Sequence, residues 1–175
     1  LAQPGVAGAG DGAPGVTPIV RIPLAARDAP EAVGKQVLDV GVLGVMFPDI
    51  ETRAQAMAAV SSMRVARAAG ADVWPLDPAG TLVAMLQVET LAGIEHLDEI
   101  LDVPGIGVIF LGPTDLASSA GEDGPNAPRV DALVHQVLEA CLERNIPCGY
   151  PIVARTPEDA ERETARRLRE GFTVL

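Results

Sequence analysis

The sequence predicts an α/β fold built on a parallel sheet, and three observations predict it. Short apolar runs, β-branched or leucine-rich and without polar alternation, recur at 18–22, 42–47, 82–89, 107–111, 147–152 and 172–175. Strands buried on both faces read this way. Segments with apolar residues at three- and four-residue steps fill the gaps, and strand and helix alternate in an order that implies right-handed βαβ units.

The helical segments follow one another in the same spirit. Val130, Leu133, Val134, Val137, Leu138, Cys141 and Leu142 form one apolar stripe over 130–142, and Leu91, Ile94, Leu97, Ile100 and Leu101 form another over 91–101. Thr156 and Pro157 read as an N-cap followed by proline at the first helical position, with Gly171 as the stop. Residues 32–38 and 53–63 complete the set. Between Met63 and Trp74 a helix end passes into a loop with no clear strand, and Trp74 to Pro78 reads as a rigid packing loop. Six strands of this kind suit either an open sheet or a (β/α)8 barrel short of two strands.

The chain has 175 residues, 48% of them apolar, which suits one folded domain with a sizeable core. Residues 1–17 are Gly/Ala/Pro-rich and lack the charged-then-apolar order of a signal peptide. They read as a loop or linker ahead of a domain spanning 18–175. With 13 basic and 24 acidic residues the formal charge is −11, so neither nucleic acid nor an anionic membrane is an expected partner. No run reaches the roughly 18 apolar residues of a membrane span. Cys141 and Cys148 fit no metal or redox spacing and read as buried free thiols, which places the protein in the cytoplasm.

Charged residues at strand ends carry the chemistry. Arg21, Glu89 and Asp115 each follow an apolar run, at the strand C-termini where parallel α/β folds bind ligands. Glu89 and Asp115 are separated by one crossover, so neighbouring strands would bring their ends to about 5 Å. Two carboxylates at that range repel unless a proton or cation lies between them. Oxygen ligands favour a hard cation, Mg²⁺ or Mn²⁺, over zinc. The competing reading makes Glu89 a helix-start residue and Asp115 the N-cap of a short helix at 116–119. Gly112, Pro113 and Thr114 form a turn whose backbone could bind an anion. His96 and His135 fall between stripe positions and face outward or sideways.

Five motifs, in order, resemble the HpcH/HpaI aldolases. They are Pro18-Ile19-Val20-Arg21-Ile22-Pro23, Lys35-Gln36-Val37-Leu38-Asp39-Val40-Gly41, Gly44-Val45-Met46-Phe47-Pro48, Gln87-Val88-Glu89-Thr90 and Gly112-Pro113-Thr114-Asp115-Leu116. The resemblance implies a (β/α)8 barrel of the pyruvate/phosphoenolpyruvate type, of which the chain covers about six βα units, in a homo-oligomer, usually a hexamer. It implies a class II, metal-dependent pyruvate aldolase acting on small oxo acids and aldehydes. Glu89 and Asp115 would be ligands of Mg²⁺ or Mn²⁺, with Co²⁺ also suitable. Arg21 would contact the keto oxygen, and Gln87 with Gly112, Pro113 and Thr114 would hold the pyruvyl group. Asp39 would partner a catalytic histidine in a site built partly by another subunit. That histidine belongs to a strand ahead of the Val-Arg-x-Pro strand, and here no histidine precedes His96. A Pro-rich loop of the family between Met63 and Asp72 has no counterpart either. A related oxo-acid decarboxylase or ester lyase, or a non-catalytic scaffold, are the other readings.

Lys35 is the only lysine and falls in a helix, so a Schiff-base mechanism is not expected. A pyruvate enolate is instead stabilised by a cation acting as Lewis acid, with Arg21 as a fixed positive group.

Overall fold

The structure is a computed structural model and describes residues 17–65 and 73–175; the Gly-rich stretch before Thr17 and the family loop region at 66–72 lie outside the described residues. Six strands pair in parallel: β1 (Ile19–Arg21), β2 (Gly44–Phe47), β3 (Val73–Trp74), β4 (Leu82–Val88), β5 (Val108–Leu111) and β6 (Cys148–Gly149). The main path runs β1-β2-β4-β5-β6, with β3 pairing only to the start of β4. Past β6, Val174 adds an isolated parallel bridge to Gly149.

This order matters physically. Right-handed crossovers between strands taken in sequence all fall on one side of the sheet. An open doubly wound sheet needs a point where the order reverses, and this path has none. The helices α1 (Glu31–Asp39), α2 (Arg53–Val65), α3 (Leu91–Glu95), α4 (Leu97–Leu101), α5 (Pro113–Ala120), α6 (Pro128–Glu143) and α7 (Pro157–Glu170) supply that outer layer. Val45, Phe47, Leu86, Val88, Ile109 and Leu111 are fully buried with Leu38, Ala59, Met63, Ile100, Val130 and Val137 in one core.

The other face carries the polar groups. Register aligns Arg21 with Met46, Met46 with Met85, Gln87 with Phe110, and Phe110 with Gly149. Side chains alternate along a strand, so Arg21, Met46, Met85, Gln87 and Phe110 share the inward face. Gly149 is required there, because a Cβ at that position would overlap the Phe110 ring.

Several expectations are corrected. The 172–175 run forms a bridge rather than a full strand, and β3 stands where a loop was expected. The 91–101 stripe is two helices, with His96 in neither. Thr156 does cap α7, accepting the Asp159 N–H, and Gly171 ends it with φ 116°. Cys141 and Cys148 are buried and free. Among the described residues no helix is long and apolar enough to cross a membrane.

Candidate metal and substrate site

Glu89 follows directly from β4, and Thr90 takes over the start of α3 by accepting the Gly93 N–H on its hydroxyl. Capping therefore makes no demand on Glu89. Its side chain is 2% exposed, so the expected open crevice is a closed floor at this residue. Oε1 accepts the Asp49 N–H at 3.2 Å, and Oε2 accepts Gln87 Nε2 at 2.9 Å. The backbone of Gly112 lies against the same carboxylate. A Cβ on Gly112 would overlap Glu89 Oε2 and stand 2.8 Å from its Cβ and 3.0 Å from its Cδ.

Asp49 is the residue that the sequence reading missed. It stands two residues past β2, with φ 49°, a conformation that Asp tolerates better than most side chains. Burial pushes the Glu89 carboxyl from 4.5 up to about 7; the Asp49 N–H opposes this, while a hydrogen bond with the Asp49 carboxyl and the charges of Asp49 and Asp115 add to the rise. Without a cation, Glu89 thus holds a proton that an exposed glutamate would release.

The sign of the resulting pH dependence follows. Between the unfolded value and about 7 the native state binds more protons than the unfolded chain, so stability falls as pH rises through that window. Thermal melting of metal-free protein should show a decline of about 3 kcal/mol between pH 4.5 and 7.5 from this group. A flat profile there would contradict the buried carboxyl.

Asp115 is the third residue of α5, not its cap, and Pro113 and Thr114 already belong to the helix. Gly112 precedes the helix, and its carbonyl accepts the Leu116 N–H. Pro113 has no N–H to offer, so the donors left at this end are those of Thr114 and Asp115. Both side chains are exposed, which gives the site an open rim above the buried Glu89. Gln87 spends its amide nitrogen on Glu89, and its Oε1 is buried with no hydrogen-bond partner.

These groups suit a hard cation. Glu89 takes two N–H bonds and lies near the Asp49 and Asp115 charges and the orphaned Gln87 oxygen, all oxygen groups of the kind a hard cation prefers. Among the described residues no group of three or more His, Cys, Asp or Glu is placed to hold a metal.

The remaining candidates are spread apart. Arg21 ends β1 on the inward face, exposed, level with Met46 and Met85 and so four residues short of Glu89 along β4. Asp39 ends α1, ahead of β2, at the opposite end of the sheet from Glu89. It is exposed and paired with Lys35 at 2.6 Å, so its own chain does not bring it to the site. His96 is exposed, and His135 pairs with Asp131 and Glu170 between α6 and α7.

Comparison with known proteins decides the lineage: the family model for HpcH/HpaI aldolase/citrate lyase matches residues 10–170. The chain belongs to that family. A Pseudomonas putida 2-dehydro-3,6-dideoxy-6-sulfogluconate aldolase is 35% identical over 159 residues, covering 82% of this chain and 60% of the relative. A 2-keto-3-deoxy-L-rhamnonate aldolase of Salmonella schwarzengrund is 35% identical over 130 residues, covering 65% of this chain and 47% of the relative. The chain thus spans about half to three fifths of the curated relatives it matches.

Solved HpcH/HpaI structures agree on the fold. A Burkholderia cenocepacia J2315 family member superposes with TM-score 0.70 at 25% identity, over 90% of this chain and 65% of that one. A Mycobacterium tuberculosis CitE protein solved with magnesium and acetate gives 0.64 at 20% identity, over 89% and 60%. The parallel sheet is therefore part of a (β/α)8 barrel, which settles the choice between barrel and open sheet.

Proposed function

We propose that this HpcH/HpaI chain carries the metal-binding half of a class II aldolase site, cleaving 4-hydroxy-2-oxo acids reversibly to pyruvate and an aldehyde. The observation that carries the reading is the buried Glu89 carboxylate at a barrel strand end, beside the unpartnered Gln87 Oε1 and within reach of the charge of the exposed Asp115. Two aldolases among the relatives support the same class.

Glu89 and Asp115 would hold Mg²⁺ or Mn²⁺ between them. When bound, the cation supplies Lewis-acid stabilisation of charge on the keto oxygen. The Gln87 amide nitrogen, which here donates to Glu89, is the group that would donate to the pyruvyl oxygens once a cation holds Glu89. The Thr114 and Asp115 N–H groups at the start of α5 meet the pyruvyl carboxylate, as helix N-termini favour anions. Arg21, on the same inward face, adds positive charge as the enolate forms. Gly112 closes the floor and keeps water off Glu89. Among the described residues neither histidine reaches this site, so the proton on the 4-hydroxyl is not theirs to take. Asp39, facing away from its own site, fits the family arrangement in which a homo-oligomer, a hexamer, shares residues between subunits.

Pyruvate release from 4-hydroxy-2-oxo acids, followed by coupled reduction to lactate, tests this. Release should disappear on chelation and return with Mn²⁺ or Mg²⁺. Undiminished turnover after chelation would overturn the mechanism, and metal binding without turnover on any oxo acid would favour a non-catalytic barrel.

A further inference from the structure

Three consecutive residues past β2 lie like a splint along the end of β4. The Asp49 N–H donates to Glu89 Oε1 at 3.2 Å, the Ile50 N–H to the Gln87 carbonyl at 2.9 Å, and Glu51 Oε1 accepts the Thr90 hydroxyl at 3.0 Å. The splint therefore touches Gln87, Glu89 and Thr90 in one pass. It is seated closely from the other side too, since a Cβ on Gly93 would stand 2.7 Å from the Ile50 carbonyl oxygen.

One cation fastens this splint from outside. Arg27, in the turn between a short 3-10 stretch (Leu24–Ala26) and α1, is 22% exposed. Its Nη1 donates both to the Asp49 carbonyl at 3.1 Å and to Glu51 Oε2 at 3.0 Å. Asp49 needs such a hold. Its positive φ costs about 1 kcal/mol or more, and that conformation turns its N–H toward Glu89 while its carbonyl turns toward Arg27. The second arm runs from Arg27 through Glu51 to Thr90, the residue next to Glu89 and the cap of α3. Asp28 and Gln55 brace the same corner, Gln55 Nε2 donating to Asp28 Oδ1 at 2.7 Å and Gln55 Oε1 accepting the Glu51 N–H at 2.9 Å.

We propose that Arg27 is a positioning residue for the Glu89 carboxylate, holding it for a divalent cation through Asp49 on one arm and through Glu51 and Thr90 on the other. The proposal rests on the reading of Glu89 as a metal ligand. Arg27 touches neither the site nor any substrate; it sets the direction in which a buried ligand points. Groups that hydrogen-bond a metal ligand fix its orientation and are felt in affinity; Arg27 acts one contact further out, on the residues that hold and flank Glu89.

The test is Mn²⁺ affinity, measured by electron paramagnetic resonance on the purified protein, with thermal melting alongside. Arg27→Met and Glu51→Gln should each weaken Mn²⁺ binding, the former by roughly tenfold, the low end of the effect of groups bonded directly to a ligand. Arg144→Met is the matched control: Arg144 is a part-buried arginine paired with Asp98 at 2.7 Å, on the outer helices, and its loss should leave Mn²⁺ affinity unchanged. Wild-type affinity in Arg27→Met, or in Glu51→Gln should Arg27→Met fail to fold, would overturn the proposal. So would an equal loss in the Arg144 control. Failure of the underlying reading looks different: Glu89→Gln itself would then bind Mn²⁺ like wild type.

Discussion

Glu89→Gln is expected to lower metal-dependent pyruvate release by about a thousandfold, the equivalent of losing about 4 kcal/mol of transition-state stabilisation. Glutamine keeps the shape of the side chain and can still accept the Asp49 N–H, but it removes the buried negative charge. Loss of activity through unfolding is excluded by a companion measurement. Burial and two acidic neighbours oppose ionisation of Glu89, so without metal at pH 8 the variant should melt no lower than wild type. Lost activity with preserved or raised melting temperature is the signature of a residue held for function against stability. Gly112→Ala should reach the same loss by a steric route, because the new methyl falls on Glu89 Oε2. Full activity in either variant would remove Glu89 from the mechanism.

Arg167→Met is expected to destabilise the outer layer strongly, by about 3 kcal/mol from the lost buried ion pair and the lost stack on Tyr150 together. Arg167 is 3% exposed in α7. Its guanidinium lies 3.8 Å from the Tyr150 ring centroid and donates to Glu163 at 2.8 Å and Glu170 at 2.9 Å. Methionine replaces the packing but removes the 2.8 Å partner of Glu163 and the stack on Tyr150, while Glu170 keeps Arg166 at 2.8 Å. For a chain of this size that corresponds to a fall in melting temperature of about 6–12 °C, measurable by calorimetry. Arg167→Lys should recover little, since an ammonium cannot both stack on Tyr150 and fork between two glutamates. A change under about 1 kcal/mol would mean that the acids find water instead.

The sequence made the sheet legible because its strands are buried on the helix side and read as apolar runs. It also pointed to Glu89 and Asp115, charged residues where such runs end. The same rule applied once more would have found Asp49, two residues past Phe47; Pro48 between them disguised the strand end. What no pattern shows is contact between β2 and β4, on which the pairing of Asp49 with Glu89 depends, since the two residues are 40 apart in sequence. β3 was invisible because two residues carry no periodicity. The helix break at His96 escaped because the apolar stripe continues across it. Asp39 was placed by motif alone, and topology puts it at the far end of its own sheet.

The unequal exposure of the two carboxylates sets an order of events at the proposed site. Asp115 stands on an exposed helical turn, whereas Glu89 lies beneath Gly112 with its oxygens already engaged. A cation arriving from solvent would reach Asp115 before Glu89. Capture and retention would thereby be divided between two acids of the same chemistry, the exposed Asp115 serving entry and the buried Glu89 slowing departure.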